Sequence, residues 1–176
     1  TNAGDCLNGG AYGDVENPVG TWNDAILNRI DYVMYEASQR NISIDLALHD
    51  RWALGMWRDD AYFTKYCSSC GGNDTQQQAC CQQLFYTNVS AKQDFYNRTY
   101  HILNYTSPRF GVKWKNLSQD RVFCWEIQNE PNTSVNPIWL NDVAGYIKQV
   151  DPEARVCAGA GSYGEPDNET LLKEIV

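Results

Sequence analysis

The sequence predicts an α/β fold, and in particular a part of a (β/α)8 barrel rather than a whole one. Helix-like and strand-like segments alternate along the 176 residues, as a parallel sheet built from βα units requires. Two strand-like runs, ISIDLALH at residues 42–49 and VFCWEIQNEP at residues 122–131, each carry an acid mid-strand and end in a polar tip. Barrel strands can turn such a row inward, whereas an open sheet covered by helices on both faces has no place for it. A complete barrel takes about 250 residues and rarely fewer than about 200, so only a portion fits. The chain opens on Thr1 and closes on Val176 inside a helix-like pattern, and residues 1–176 therefore read as a fragment of one longer domain.

Residues 1–22 are rich in Gly, Asn and Asp without a period and read as a loop anchored by Trp22. From residue 23 to 40, Ile26, Ile30, Val33, Met34 and Ala37 recur at helical spacing, and Asn41 suits a left-handed stop. Residues 42–49 follow as a strand with Ser43, Asp45, Ala47 and His49 on one face. Residues 50–87 read as a long irregular insertion crowded with cysteines and aromatics, and ordered loops of that length are usually functional. Ser90 and Gln93 give an S-x-x-Q capping box for a helix to about Tyr105, with Phe95, Thr99, Ile102 and Leu103 inward.

In the central strand, a period of two puts Val122, Cys124, Glu126, Gln128 and Glu130 on the barrel-facing side. Phe123, Trp125, Ile127 and Asn129 then face the helices. Glu126, among strong strand formers, is expected to be buried and paired with a base. Pro131 has no N–H for a ladder and ends the strand, which leaves Glu130 at the C-terminal rim where barrels place their chemistry. Asn136 and Pro137 start a helix through about Val150 with Leu140, Val143, Ala144 and Ile147 inward. A third strand at residues 155–160 and a last helix complete the order. A doubly wound sheet has the same order, but no glycine-rich phosphate loop follows any strand.

A net charge of −8 and a pI near 4.6 argue against nucleic acid as a partner. No apolar run approaches the roughly 18 residues that span a bilayer, so no membrane partner is expected. N-x-S/T sequons begin at Asn41, Asn73, Asn88, Asn97, Asn104, Asn116, Asn132 and Asn168, a density that suits a secreted, extracellular glycoprotein. Of the seven cysteines, Cys67, Cys70, Cys80 and Cys81 read as two disulfides with three pairings open, in preference to a zinc knot. Cys124 and Cys157 read as small buried residues, and Cys6 as having its partner elsewhere. No metal or cofactor is expected.

WEIQNEP, with Asn129-Glu130-Pro131 at the tip, resembles the fourth barrel strand of clan A retaining glycoside hydrolases. The run from FYTN at residues 85–88 through a helix to FCWEIQNEP resembles family 5, in particular fungal-type endo-β-1,4-mannanases. The resemblance covers most of the chain and implies roughly the third to fifth barrel strands. It implies that Glu130 is the general acid/base, that Asn129 binds the sugar 2-hydroxyl, and that His49 lines the cleft. The nucleophile comes from a later strand, absent here, so the fragment alone is expected to be inactive. His49-Asp50-Arg51 departs from the amides of the mannanase-type run, and Arg51 is expected to pair with Asp50.

Each role has a plainer rival. Glu130 fits a solvated turn acid, and His49 a satisfied core histidine. Trp52, just past a strand tip, is expected to form a subsite wall against the flat C–H face of a sugar. Trp57 fits a wall or packing within the insertion, while Trp125 and Trp139 are expected to be structural. The function expected is a secreted endo-β-1,4-mannanase acting on a polysaccharide, monomeric when full length. The alternatives are an endo-β-glucanase on the same scaffold, a non-catalytic glycan-binding relative, or a cysteine-stapled structural glycoprotein.

Overall fold

The computed structural model describes residues 13–56, 60–131 and 137–159. Trp57, Cys6, the cap at Asn136 and the last expected helix lie outside them. Three strands, β1 (Ile44–Ala47), β2 (Val122–Glu126) and β3 (Val156–Cys157), form one parallel sheet in the order β1-β2-β3. The helices are α1 (Asp24–Ser38), α2 (Ala61–Tyr66), α3 (Asp74–Thr87), α4 (Val89–Asn104) and α5 (Pro137–Val150). Parallel neighbours joined through helices make this a portion of a (β/α)8 barrel.

The predicted apolar stripes bury as expected on α4 and α5, where Phe95, Thr99, Ile102, Leu103, Leu140, Val143, Ala144 and Ile147 are all buried. Their packing on Leu48, Val122, Trp125 and Ile127 forms the core between sheet and helices. Each such aliphatic or aromatic side chain contributes about 1.5–3 kcal/mol over an exposed one. Phe85, Phe95 and Trp139 meet at centroid distances of 5.1–5.9 Å and fasten α3, α4 and α5 together. Helix α1 departs from its prediction, since Val33 is exposed while Asp31 is buried. Asp31 accepts from Trp114 Nε1 at 2.9 Å and from Arg109 at 3.1 Å, which replaces an apolar contact with a satisfied polar one. Asn41 has φ 55° and ends the α1 turn as predicted.

Two expectations about the helices are corrected. The stretch at residues 50–87 is not irregular, since it holds α2 and α3. Helix α3 starts in a capping box between Asn73 and Gln76. Disulfides Cys67–Cys81 and Cys70–Cys80 choose one of the three pairings and staple the end of α2 to α3. Helix α4 is capped by Asn88, whose side chain accepts from Ser90 and Ala91 N–H, so Ser90 lies inside the helix rather than at its cap.

The period-two reading of β2 also fails at its start. Ile44 pairs with Val122 but Asp45 pairs with Cys124, so Phe123 is an extra residue in a bulge. The bulge resets the alternation. Val122 thereby turns to the helix side and is buried, while Phe123 is 46 % exposed beneath the Arg155 guanidinium. Cys124 and Cys157 are not free thiols, because they form a third disulfide joining β2 to β3 with Cα atoms 5.9 Å apart.

Candidate active site at the tips of β1 and β2

Beyond their last ladder residues, β1 and β2 continue side by side in three tiers of contact. The deepest is His49 with Gln128. Gln128 Oε1 accepts from Tyr86 Oη, so its Nε2 donates to His49 Nδ1 at 2.9 Å. That leaves the imidazole proton on Nε2, 3.4 Å from Asp60 Oδ2. Asp60 Oδ1 meanwhile caps α2 through Tyr62 and Phe63 N–H. His49, expected to line the cleft, is 0 % exposed here and stacks on Phe85, one layer behind the rim.

In the middle tier Asn129 N donates to His49 O at 2.8 Å, and Arg51 N donates to Asn129 O at 3.2 Å. Asp50 and Asn129 form a parallel bridge, so strand pairing carries the two tips forward in register. Asp50 Oδ2 accepts from Asn129 Nδ2 at 2.9 Å, and its Oδ1 accepts from Trp52 N at 2.8 Å. A carboxylate only accepts, so the Asn129 amide nitrogen is fixed toward Asp50 and its carbonyl oxygen points away. Sequence reasoning paired Asp50 with Arg51. Both carboxylate oxygens are instead spent on Trp52 and Asn129.

The outer tier is Glu130, whose φ of 47° is in the left-handed region that non-glycine residues seldom adopt. Its side chain is 39 % exposed. Trp52 Nε1 donates to Oε2 at 2.5 Å, and Arg51 Nη2 approaches the same oxygen at 3.9 Å. Both contacts engage Oε2 rather than Oε1. Trp52 follows β1 in the 3-10 turn Arg51–Ala53, and the Arg51 guanidinium covers one indole face at 4.6 Å. Glu130, Asn129 and Trp52 are thus brought together, and a carboxyl, a side-chain amide and an indole share one rim.

A sequence model of GH family 5, beta-mannosidase-like, matches residues 11–174. The chain belongs to glycoside hydrolase family 5. Mannan endo-1,4-beta-mannosidase 1 of Arabidopsis thaliana is 27 % identical over 166 residues, covering 90 % of this chain and 37 % of the relative. Mannan endo-1,4-beta-mannosidase A of Podospora anserina is 24 % identical over 149 residues, covering 82 % and 34 %. Among solved structures, a family 5 mannosidase from Rhizomucor miehei superposes with a TM-score of 0.71 at 20 % identity, over 86 % of this chain and 38 % of that one. An endo-1,4-beta-mannanase from the same organism gives 0.60 at 28 % identity, over 84 % and 43 %. This family 5 chain therefore spans well under half the length of these relatives.

Behind the rim, Glu126 is a half-buried carboxyl whose pKa is raised, first by burial and then by Asp45 and Asp50. Among the described residues no Lys or Arg forms an ion pair with it, so the expected base partner is not found there. Gly159, with φ 91°, lies against it. Any Cβ there would strike the Gln128 carbonyl and come within 2.8 Å of Glu126 Oε1.

Sequence reasoning missed a second buried network under the same tips. Glu16, read as loop, is buried and accepts from Arg98 Nη1 at 3.1 Å, Tyr62 Oη at 3.1 Å and Gly20 N at 2.7 Å. Arg98 Nε donates to Leu48 O at 2.9 Å, so this ion pair holds the end of β1. Burial, and next the Glu16 charge, push the Tyr62 hydroxyl pKa well up. An arginine on the apolar face of α4 was the signal available in the sequence.

Proposed function

We propose that the protein is a retaining endo-β-1,4-mannanase, with Glu130 as general acid/base and Asn129 and Trp52 in contact with the substrate. The observation that carries this reading is the Glu130 carboxyl itself. It stands at a strand tip in a rare backbone conformation, with Oε2 held by Trp52 and Oε1 left over. Membership of family 5 and the mannan-cleaving relatives supply the reaction class. In such chemistry a protonated carboxyl helps the leaving oxygen depart, and a second carboxylate about 5–5.5 Å away attacks the sugar. Oε1 of Glu130 is the atom that gives and later regains the proton. The Asn129 carbonyl accepts from the sugar 2-hydroxyl, a contact that tightens as the transition state forms. Trp52 offers an indole face to the C–H side of a ring.

The nucleophile is assigned to a part of the protein outside residues 1–176, so this fragment alone is inactive. Three disulfides, together with sequon asparagines that are exposed at Asn41, Asn73, Asn88, Asn97 and Asn116 and half-buried at Asn104, support export to an oxidising compartment. Asn132 and Asn168 lie outside the described residues. Among those residues no helix is long and apolar enough to cross a membrane. The partner is a polysaccharide, and the full-length protein acts as a monomer.

The test is hydrolysis by full-length protein of β-1,4-mannan and β-1,4-glucan, with the anomer of the first product followed by NMR. Internal cleavage of mannan with retained configuration is expected. Cleavage of glucan alone would transfer the assignment to an endoglucanase, and cleavage of neither would reduce the site to glycan binding.

A further inference from the structure

Among the described residues, Arg51 has a buried donor that no acceptor meets. It is 8 % exposed, and a guanidinium has five N–H groups to satisfy. Its Nε is buried without a hydrogen-bond partner. The Glu130 oxygen at 3.9 Å from Nη2 is beyond hydrogen-bond reach and is already held by Trp52 Nε1. Asp50, next in sequence, has both oxygens occupied by Trp52 N and Asn129 Nδ2. The contact with the indole face at 4.6 Å engages the flat of the guanidinium and gives its N–H groups no acceptor. Buried donors are paired in the great majority of cases, and the exceptions call for a function.

We propose that Arg51 is a specificity-determining cation that receives a carboxylate on the sugar beside the scissile bond. The preferred substrate is then a β-glycan bearing uronic acid groups rather than a wholly neutral one. This rests on the glycosidase reading of Glu130. The planar guanidinium fork matches a carboxylate through two parallel N–H···O bonds, whereas a hydroxyl meets only one of them. Arg51 Nη2 stands 3.9 Å from Glu130 Oε2, so an occupant of Arg51 lies within a sugar ring of the acid. Charge balance agrees. When Glu130 holds the proton it will donate, Arg51 loses its loose counter-ion, and an anionic substituent replaces it. With Asp50 and Glu126 nearby, Arg51 is the group that admits an anion to this rim.

The experiment compares kcat/KM of the full-length protein on two β-linked oligosaccharides that differ by one uronosyl substituent, for wild type, Arg51→Gln and Arg51→Lys. Wild type should favour the acidic substrate, and added salt should shrink that advantage. Arg51→Gln should lose about tenfold or more on the acidic substrate, with a much smaller change on the neutral one. Arg51→Lys, which keeps the charge but not the fork, should fall between and guards against a folding defect in the glutamine variant. An equal loss on both substrates would overturn the proposal and leave Arg51 a positioning group for Trp52 and Glu130. Equal wild-type rates on the two would also overturn it while leaving the glycosidase reading intact. No hydrolysis of either by wild type would defeat that reading as well.

Discussion

The indole N–H of Trp52 donates to the Glu130 carboxylate at 2.5 Å across 78 residues of sequence. One bond thus couples the aromatic wall to the acid, and it comes from the tip of a neighbouring strand. Trp52→Phe keeps an aromatic face but removes the donor. A hydrogen bond to a charged group contributes about 1.5–3 kcal/mol, so kcat in the full-length enzyme should fall about tenfold or more with KM little changed. Trp52→Ala should raise KM as well, because the stacking surface goes with the donor. Steady-state kinetics on the two variants separates these effects.

Asp50 holds the other two members of the rim. Its removal in Asp50→Ala frees Asn129 Nδ2 and Trp52 N, which are otherwise bonded at 2.9 and 2.8 Å. The Asn129 amide can then rotate and present the wrong end to a sugar hydroxyl. The expected outcome is a loss of about 1–3 kcal/mol in transition-state stabilisation, read as a drop in kcat/KM, with a smaller fall in Tm.

The Glu16–Arg98 pair is a matter of stability. Both side chains are buried, and Arg98 also bonds the Leu48 carbonyl at the end of β1. Glu16→Ala leaves a buried cation without its carboxylate and should cost about 3–5 kcal/mol in urea unfolding. Replacing both partners, with Glu16→Gln and Arg98→Met together, should cost less than Glu16→Ala alone, because no charge is stranded.

Glu126 gives a pH dependence whose sign follows from its raised pKa. The folded protein keeps a proton that the unfolded chain has already released. Below the ordinary carboxyl pKa this group therefore has no effect. As pH rises from there through the folded value, its ionisation in a half-buried place lowers stability. Glu126→Gln should flatten that decline, which urea midpoints at about pH 4 and about pH 7 would reveal. An unchanged slope in the variant would assign the dependence to other groups.

Much of this was readable in the chain because the dominant signals are local. Helices α4 and α5 announce themselves by apolar spacing, and Glu130 by the proline that ends its strand. Helix α3 lacks an apolar stripe in its QQQACCQQ run. It is held by a capping box and by two disulfides; the cysteine cluster foretold the bridges but not their pairing or the helix they hold. The bulge at Phe123 arises from pairing with β1, so no pattern within 122–131 reveals it. His49 was visible as a polar tip residue, yet alternation lapses after Ala47 and the imidazole turns to the aromatic layer. The Glu16–Arg98 contact joins residues 82 apart, so Arg98 on the apolar face of α4 hints at a buried partner but nothing local says that it is Glu16.

The most direct measurement is the rate of Glu130→Gln in the full-length protein on a mannan oligosaccharide and on an aryl mannoside. The amide keeps the shape but has no proton to give. Hydrolysis of the oligosaccharide should fall at least ~100-fold. Release of the aryl group, which departs without assistance, should fall far less in the first turnover. Undiminished cleavage of the oligosaccharide by this variant would contradict the assignment of Glu130 as the acid/base.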